Sequence, residues 1–532
     1  MRSLSFLRMR PWRSCAERKI KSNKGATSLV TVFLFFIFST LGLSMLYLSQ
    51  IYLKLSACKK YSTLLKYASE NGIKQGLDHF LDLVSQTASP SLLSPDELCE
   101  LRESCRSKDL KIVKKILGKS LPLENTQSWE IFEWESLTDF FQEKFEEQEN
   151  SFHSVFKVKI LSEGRLTHLK QKRESSLEMM MGISAGNVPL PYFPLLIGKK
   201  LESMQQEKFD IQNNIQILSL NKSLLPPRIS FSEDTLLPKQ AEALLAQALK
   251  IKFFKPESLS NRCLRTSLGL DATDEPVPDG VYLIKDDTGM GGVYVQGDLK
   301  EMVTAIEEDF QVLSFLTEEG SYVLKFSPQK SKSVFITPWE AQHFDLTPLG
   351  IVVINGEVCS LGGGVVGLSG QIEMVREEEV PSILQGVSLT LISPQRITIS
   401  SHLIHQGVKW VDKVPYVKGT KSQLFIFSTG QSLDGQEESD GEIIIDANSP
   451  QEIKIQAALT ASGEGLTIKG REKSVHILGS LQIADYSSNE NALSLIYSQG
   501  IFENDSLVQH APQTAKPVIW LSFLKPVVWK EN

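Results

Sequence analysis

A long N-terminal helix that spans a membrane and runs on as an amphipathic helix, a mixed α/β stretch, and a mostly-β second half wound as a parallel β-helix make up the architecture this sequence predicts. Three observations predict it. Ala26 to Leu53 contains no charged side chain. From Lys54 to about Val84, Leu64, Leu65, Ala68, Ile73, Leu77, Phe80, Leu81 and Val84 recur mostly at three- and four-residue steps. Past Gly280 helical periodicity gives way to short alternating apolar runs, several of them sharing one form.

The chain has 532 residues, enough for two or three domains with cores of their own. An apolar fraction of 41% and a charged fraction of 22% are those of a folded protein. The net charge of −7 argues against nucleic acid as a partner, because phosphate binding needs concentrated Lys and Arg. Charge is unevenly placed: Arg2, Arg8, Arg10, Arg13, Arg18, Lys19, Lys21 and Lys24 face only Glu17 before Gly25, and the balance turns acidic later. The six cysteines form no framework or Cys-x-x-Cys pair. Cys99 and Cys105 leave two readings open, a small disulfide loop or two free thiols beside a helix.

Residues 1–25 read as a basic cytoplasmic leader and residues 26–53 as the transmembrane helix. About 28 helical residues reach about 42 Å, against roughly 30 Å of bilayer hydrocarbon. The basic flank places the N-terminus in the cytoplasm and the remainder outside the inner membrane. A secretory signal would carry an apolar run about half as long. Leu55-Ser56-Ala57-Cys58 has the form of a lipobox, although Lys54 precedes it directly. Residues 54–89 read as the amphipathic helix, with Gly72 and Gly76 allowing another backbone to approach.

Lys24-Gly25-Ala26-Thr27-Ser28-Leu29-Val30, the uninterrupted apolar run, and Ala68-Ser69-Glu70-Asn71-Gly72 together resemble the N-terminal segment of type IV minor pilins of the PilX type. The resemblance covers about residues 20–85. It implies cleavage by a prepilin peptidase between Gly25 and Ala26, retention of the helix in the membrane, and a pilin-helix motif at Glu70 and Gly72. Val30 stands where major pilins carry a Glu that pairs with the neighbouring subunit's N-terminus, so growth into a long filament is not implied. The 25-residue leader is also long.

Residues 90–276 read as a mixed α/β region. Ser94 is placed to cap a short helix over Asp96 to Leu101. Lys108, Lys111, Lys114 and Lys115 suggest a solvated helix face, and the acidic run Phe140 to Asn150 an exposed helix end. Val155 to Ile160 alternates like a strand. Pro189, Pro191 and Pro194 predict an ordered loop, Pro238 to Phe254 a helix, and Asp271 to Pro278 a linker.

Residues 277–532 read as a β-solenoid-like domain. Ser393-Pro394-Gln395-Arg396-Ile397-Thr398-Ile399 matches Ser449-Pro450-Gln451-Glu452-Ile453-Lys454-Ile455, and Val475-His476-Ile477 follows Ile453 after 22 residues. Val293 to Leu299 and Val352 to Val358 share a V-x-(V/I)-x-G-x-(L/V) form. Recurrence near 22 residues predicts stacked coils of a parallel β-helix; a β-sandwich is the alternative. The final segment from Val518 to Lys530 reads as a strand or cap closing the solenoid. The stretch Gly280 to Ser498 also resembles an uncharacterised bacterial domain found with pilin-like N-termini, through an I-x-I strand followed by Ala457 to Gly463.

No catalytic, cofactor or metal constellation stands out. Gly289-Met290-Gly291-Gly292 and Gly362-Gly363-Gly364 follow neither phosphate-loop pattern and read as turn glycines. Asp434, Glu437, Glu438, Asp440 and Glu442 form an acidic loop without Ca²⁺-loop spacing. His402 and His405 splay apart, and Trp410, Trp520 and Trp529 read as core or end plugs. The expectation is therefore non-enzymatic: a membrane-anchored, pilin-like envelope protein, acting as minor subunit, adhesin or assembly factor of a type IV pilus or pseudopilus system. The lipid bilayer, a prepilin peptidase and other pilin-like subunits are its expected partners, with surface glycans or proteins on the solenoid. A polysaccharide lyase or hydrolase built on the β-helix, and a plain membrane-anchored scaffold, are the alternatives.

Overall fold

The structure, a computed structural model, describes residues 24–87, 91–118, 123–128, 132–148, 151–166, 169–187, 195–197, 215–219, 229–231, 238, 242–251, 259–286, 289–411, 414–417, 422–434, 437–488, 491–497, 514 and 516–531. The leader before Lys24 and the loop of Pro189, Pro191 and Pro194 lie outside them.

Helix α1 (Lys24–Thr87) runs unbroken for 64 residues. From Ser28 to Gln50 it is exposed throughout, while from Leu65 onward one face is buried, through Ala68, Ile73, Phe80 and Val84. That face lies on a six-stranded antiparallel sheet. Its strands are β1 (Ser91–Leu92), β2 (Leu123–Ser128), β3 (Phe132–Gln148), β4 (Ser151–Leu166), β5 (Leu169–Gly186) and the C-terminal strand Val518–Glu531. The order across the sheet is β1, C-terminal strand, β5, β4, β3, β2. Along β4, Phe152, Ser154, Phe156, Val158 and Ile160 are buried while His153, Val155, Lys157 and Lys159 between them are half-exposed. Such period-two alternation is that of a sheet covered on one face.

Helices α2 (Pro95–Arg106) and α3 (Lys111–Leu117) complete this unit. Ser94 caps α2 in a reciprocal capping box with Glu97, and Gly118 closes α3 in the left-handed region. Leu98, Leu101, Ile112, Val113 and Leu117 join the core that α1 shares with the sheet. Cys99 and Cys105 are free thiols; Cys105 is buried, which pushes its pKa up to about 11.

Two expectations are corrected here. The acidic run Phe140 to Asn150 is no helix end: as far as Gln148 it is the end of β3, paired with β4 from Phe140↔Val158 to Gln148↔Ser151. Phe140 faces the core, and Glu143, Glu146 and Glu147 meet solvent, so the charges marked an exposed strand end. The C-terminal segment is a strand, but it does not close the solenoid. It pairs antiparallel with β5, from Val518↔Gly186 to Glu531↔Ser175, because Ile519, Leu521 and Leu524 bury in the helix–sheet core. Everything between β5 and Val518 is thus inserted between two neighbouring strands of one sheet.

The insertion is mostly β. One sheet stacks Gly289–Gln296, Ile351–Asn355, Ser388–Ser393, Gln423–Ser428, Ala458–Ala461, Ser480–Ile483, Leu195–Ile197 and Ile229–Phe231 in parallel. A second stacks Glu301–Glu307, Val358–Val366, Ile397–Ile399, Glu442–Ile445, Gly465–Ile468 and Tyr486–Ser488 in parallel. A third holds Glu452–Ile455, Ser474–Leu478, Ala492–Tyr497 and Ile215–Ser219, again in parallel. The first two are mixed. Gly280–Asp286 adds antiparallel to one, and an antiparallel meander from Phe310 to Phe344 extends the other. Short strands from residues 195–231 therefore add to the ends of the first and third stacks, beside Ser480–Ile483 and Ala492–Tyr497.

Inward side chains form ladders. Val293, Val352, Leu391, Ile426, Leu459, Leu481 and Leu195 follow one another in register, and all are core. Ile453 pairs with Val475 and Ile455 with Ile477, the 22-residue step read from the sequence. Val293 to Gln296 pairs with Val352 to Asn355, and at their shared corner a Cβ on Gly356 would fall 2.3 Å from the Gly297 carbonyl oxygen. That corner closes only on glycine. The Ile397-Thr398-Ile399 segment, however, pairs with Ile443 to Ile445 in the second sheet, away from Ile453 to Ile455 in the third. Each face demands the same I-x-I pattern, so similarity of sequence did not mean stacking.

Candidate functional site

The most unusual surface is the exposed half of α1. Phe35 and Met45 are 74% and 71% exposed, and Leu29, Phe33, Phe38, Leu43 and Leu46 are similar. An apolar helix of this length is stable only where its surroundings are apolar too. It is the one helix among the described residues long and apolar enough to cross a membrane. Its polar groups fit such a place: Thr40 Oγ1 donates to the Phe36 and Ile37 carbonyls at 2.9 Å each, and Ser44 Oγ to the Thr40 carbonyl at 2.7 Å. These hydroxyls need no water. Gly25 and Ala26 lie in the first turn of this helix. Leu55 to Cys58 lies well inside it, with Cys58 exposed as a free thiol.

Where α1 meets the sheet, Glu70 and Gly72 take different parts. Glu70 is half-buried and forms an ion pair with Lys66 one turn earlier, at 3.6 Å. Gly72 is a contact point: a Cβ there would reach Ser162 Oγ at 2.0 Å and Trp134 at 3.0 Å. Gly76 faces Ile160 and Ser136 in the same way, and a Cβ on Gly164 of β4 would fall 2.7 Å from the Ser69 backbone nitrogen. The backbone that Gly72 and Gly76 admit is that of this chain's own sheet. Ser69 Oγ and Ser175 Oγ, 2.9 Å apart, add a buried hydrogen bond across the seam.

On the inserted half, the richest chemistry sits on the outer side of the third sheet. Lys454 and His476 occupy equivalent, paired positions on neighbouring strands. The Lys454 ammonium pairs with Glu379 and lies 3.6 Å from Glu452 Oε1, with its cation 5.4 Å from the Trp410 ring centroid. His476 Nε2 lies 3.7 Å from the same Glu452 oxygen, and its ring packs 6.1 Å from Trp410. Trp410 is carried on the hairpin of Val408–Val411 and Val414–Val417, which lies across this face. The sequence reading missed this cluster, although the middle residues of I-K-I and V-H-I, 22 apart, were the signal for it.

A second cluster gathers around one cation: Arg396 pairs with Glu357 at 3.5 Å, Asp440 at 3.2 Å and Glu442 at 3.3 Å. Asp440 and Glu442 of the acidic loop are thereby engaged by a cation. No group of three or more metal-ligating side chains occurs among the described residues. His402 and His405 are both buried, and each binds the chain through a neighbour. The Lys454 backbone N–H donates to His402 Nδ1 at 3.0 Å, and the His405 N–H donates to Gln456 Oε1 at 2.7 Å. Burial lowers the pKa of both, to about 4 for His405. Lys473 is likewise buried, its ammonium donating to the Ser449 carbonyl at 2.5 Å and hydroxyl at 3.0 Å, and burial lowers its pKa.

Gly289 opens its strand at a positive φ of 135°, as a turn glycine does, whereas Gly291, Gly292 and Gly362 to Gly364 are close contacts within strands. Gly291 and Gly292 lie in a strand under the helix Glu242–Leu249, where a Cβ on Gly291 would fall 2.5 Å from the Ala248 carbonyl oxygen. Gly362 to Gly364 lie in the strand Val358–Val366, pressed against Ser401, Ser382 and Glu373. Of the three tryptophans, Trp410 covers the Lys454–His476 cluster, whereas Trp520 is buried and Trp529 half-exposed on the C-terminal strand. Comparison with protein-family models, with curated proteins and with solved structures found no match to this chain.

Proposed function

We propose that this chain is a membrane-anchored, pilin-like protein of the bacterial envelope that displays a parallel β-helix outside the cytoplasmic membrane. Its role is non-enzymatic, as minor subunit, adhesin or assembly factor of a type IV pilus or pseudopilus system. One observation carries the reading: α1 is a single helix with two environments, exposed and apolar through its first half and sealed onto a sheet in its second. A plain anchor has no need to continue without a break into a folded head. Gly25 lies in the first turn of this helix and Gly72 at its contact with the sheet.

Three stacks of parallel strand pairs and the inward ladder from Val293 to Leu195 support the β-helix; an antiparallel sandwich has no use for such pairs. The mixed edges are then its ends, with Gly280–Asp286 and the meander at one of them. A glycan-active enzyme would need free acids and bases on an outer face. The two charged clusters described above are instead ion-paired internally, Lys454 with Glu379 and Arg396 with Glu357, Asp440 and Glu442.

Mass spectrometry of the mature protein from its native membrane tests the proposal. An N-terminus at Ala26, methylated or not, is the expected result. An intact Met1 in cells with an active prepilin peptidase rejects the pilin-like assignment and leaves a plain scaffold. Turnover of a glycan by the purified chain would reject the non-enzymatic one.

A further inference from the structure

The stretch of α1 between the membrane run and the sheet has a distinct charge pattern. From Lys24 to Ser69 the sequence contains no acid, and the first is Glu70. Lys54, Lys59 and Lys60 follow the apolar run, are exposed, and belong to a helix that remains regular through them. At about 100° per residue, Lys59 and Lys60 stand roughly 140° and 240° around the axis from Lys54. They form a ring rather than a stripe. A docked protein covers one side of a helix, whereas lipid headgroups surround it.

The axial position agrees. The apolar run of about 42 Å matches the 40–45 Å of a bilayer with its headgroups, so Lys54 sits at the outer rim of the headgroup layer. Lys59 and Lys60 then lie within about 10 Å of that rim, close to one Debye length, and any tilt of the helix brings them nearer. Three further cations near this end are already engaged. Lys66 pairs with Glu70, Arg165 with Glu163 and Glu135, and Lys172 with Glu163 and Glu174.

We infer that Lys54, Lys59 and Lys60 form a collar that binds the phosphate groups of anionic phospholipids in the leaflet facing the folded head. The inference rests on the membrane-spanning reading of α1. The collar holds the head at a fixed height above that leaflet and enriches anionic lipid around the helix.

The test uses the full-length chain inserted in phosphatidylcholine vesicles whose phosphatidylglycerol is confined to the leaflet facing the head, away from the eight cations of the leader, with lipids that remain bound on detergent extraction counted by mass spectrometry. The wild type should retain phosphatidylglycerol in excess of its bulk share. In a Lys54→Gln/Lys59→Gln/Lys60→Gln variant that excess should fall at least about fivefold, since each cation near the surface counts for about a factor of five. A Lys330→Gln/Lys332→Gln variant, altered in the distal meander, should match the wild type. Equal enrichment in the triple variant and the wild type overturns the collar. Release of the wild-type protein from the vesicles by alkaline carbonate overturns the membrane-spanning reading beneath it. Loss of enrichment in the distal variant assigns the lipid to the wrong end of the molecule and also overturns the collar.

Discussion

His405 is held neutral by burial, where its backbone N–H bonds Gln456 and its ring has lost contact with solvent. A base whose folded pKa is depressed, here to about 4 from an ordinary value near 6.5, favours the folded state fully above pH 6.5. Between pH 6.5 and 4 the unfolded chain takes up a proton that the native ring refuses, so stability falls across that window. The loss from His405 alone reaches about 3 kcal/mol by pH 4. His402, also depressed by burial and accepting from the Lys454 N–H, adds a loss of the same sign. Denaturant unfolding of the wild type should therefore weaken steeply below pH 6.5, and His405→Gln should flatten the slope. An unchanged slope would remove His405 as its source. The sequence marked both histidines but not their burial, since an I-T-I-S-S-H-L-I-H run does not say which coil covers it.

At the scale of elements, the seam between α1 and the sheet depends on the absence of side chains. Gly164 meets backbone on the helix side, so the contact cannot be relieved by turning a flexible side chain away. Gly164→Ala should cost about 1–3 kcal/mol and lower the thermal midpoint of the purified protein by several degrees. Gly42→Ala, where nothing lies within 4 Å, should leave that midpoint nearly unchanged. A shift of equal size for both would mean that the seam is not where the stability lies. Gly72 and Gly76 were legible in the sequence as points of close approach, but their partner was not. β4 alternates plainly enough to be read as a strand; β3 was not, because Glu143, Glu146 and Glu147 hide the alternation at its exposed end. The Lys454–Glu379 pair was beyond reach for a different reason, since its partners lie 75 residues apart on separate coils.

At the scale of the whole molecule, sequence order misled about connection. Apolar content and period identified the β-rich half, and the 22-residue step identified neighbours in its third sheet. Nothing local in VIWLSFLKPVVWK says that its partner is β5, more than 300 residues earlier. The pairing of Gly186 with Val518 brings the two ends of the insertion side by side. A chain in which residues 188–516 are replaced by a short Gly-Ser linker should therefore keep α1, α2, α3 and the six-stranded sheet. Circular dichroism and a cooperative thermal transition of that product check it, and a molten or insoluble product would mean that the sheet needs the insertion to fold.

The same adjacency fixes how the molecule bears load. A pull on the displayed β-rich half reaches the sheet through the end of β5 and the start of the C-terminal strand together, in one direction. The two strands are not peeled apart from each other. They are drawn lengthwise as a pair past β4 on one side and β1 on the other, so the cross-strand bonds are sheared together instead of breaking one after another from an end. A strand pair fastened in this way resists tension as a lap joint does, and it passes that tension to the buried face of α1, which continues into the exposed apolar half of that helix.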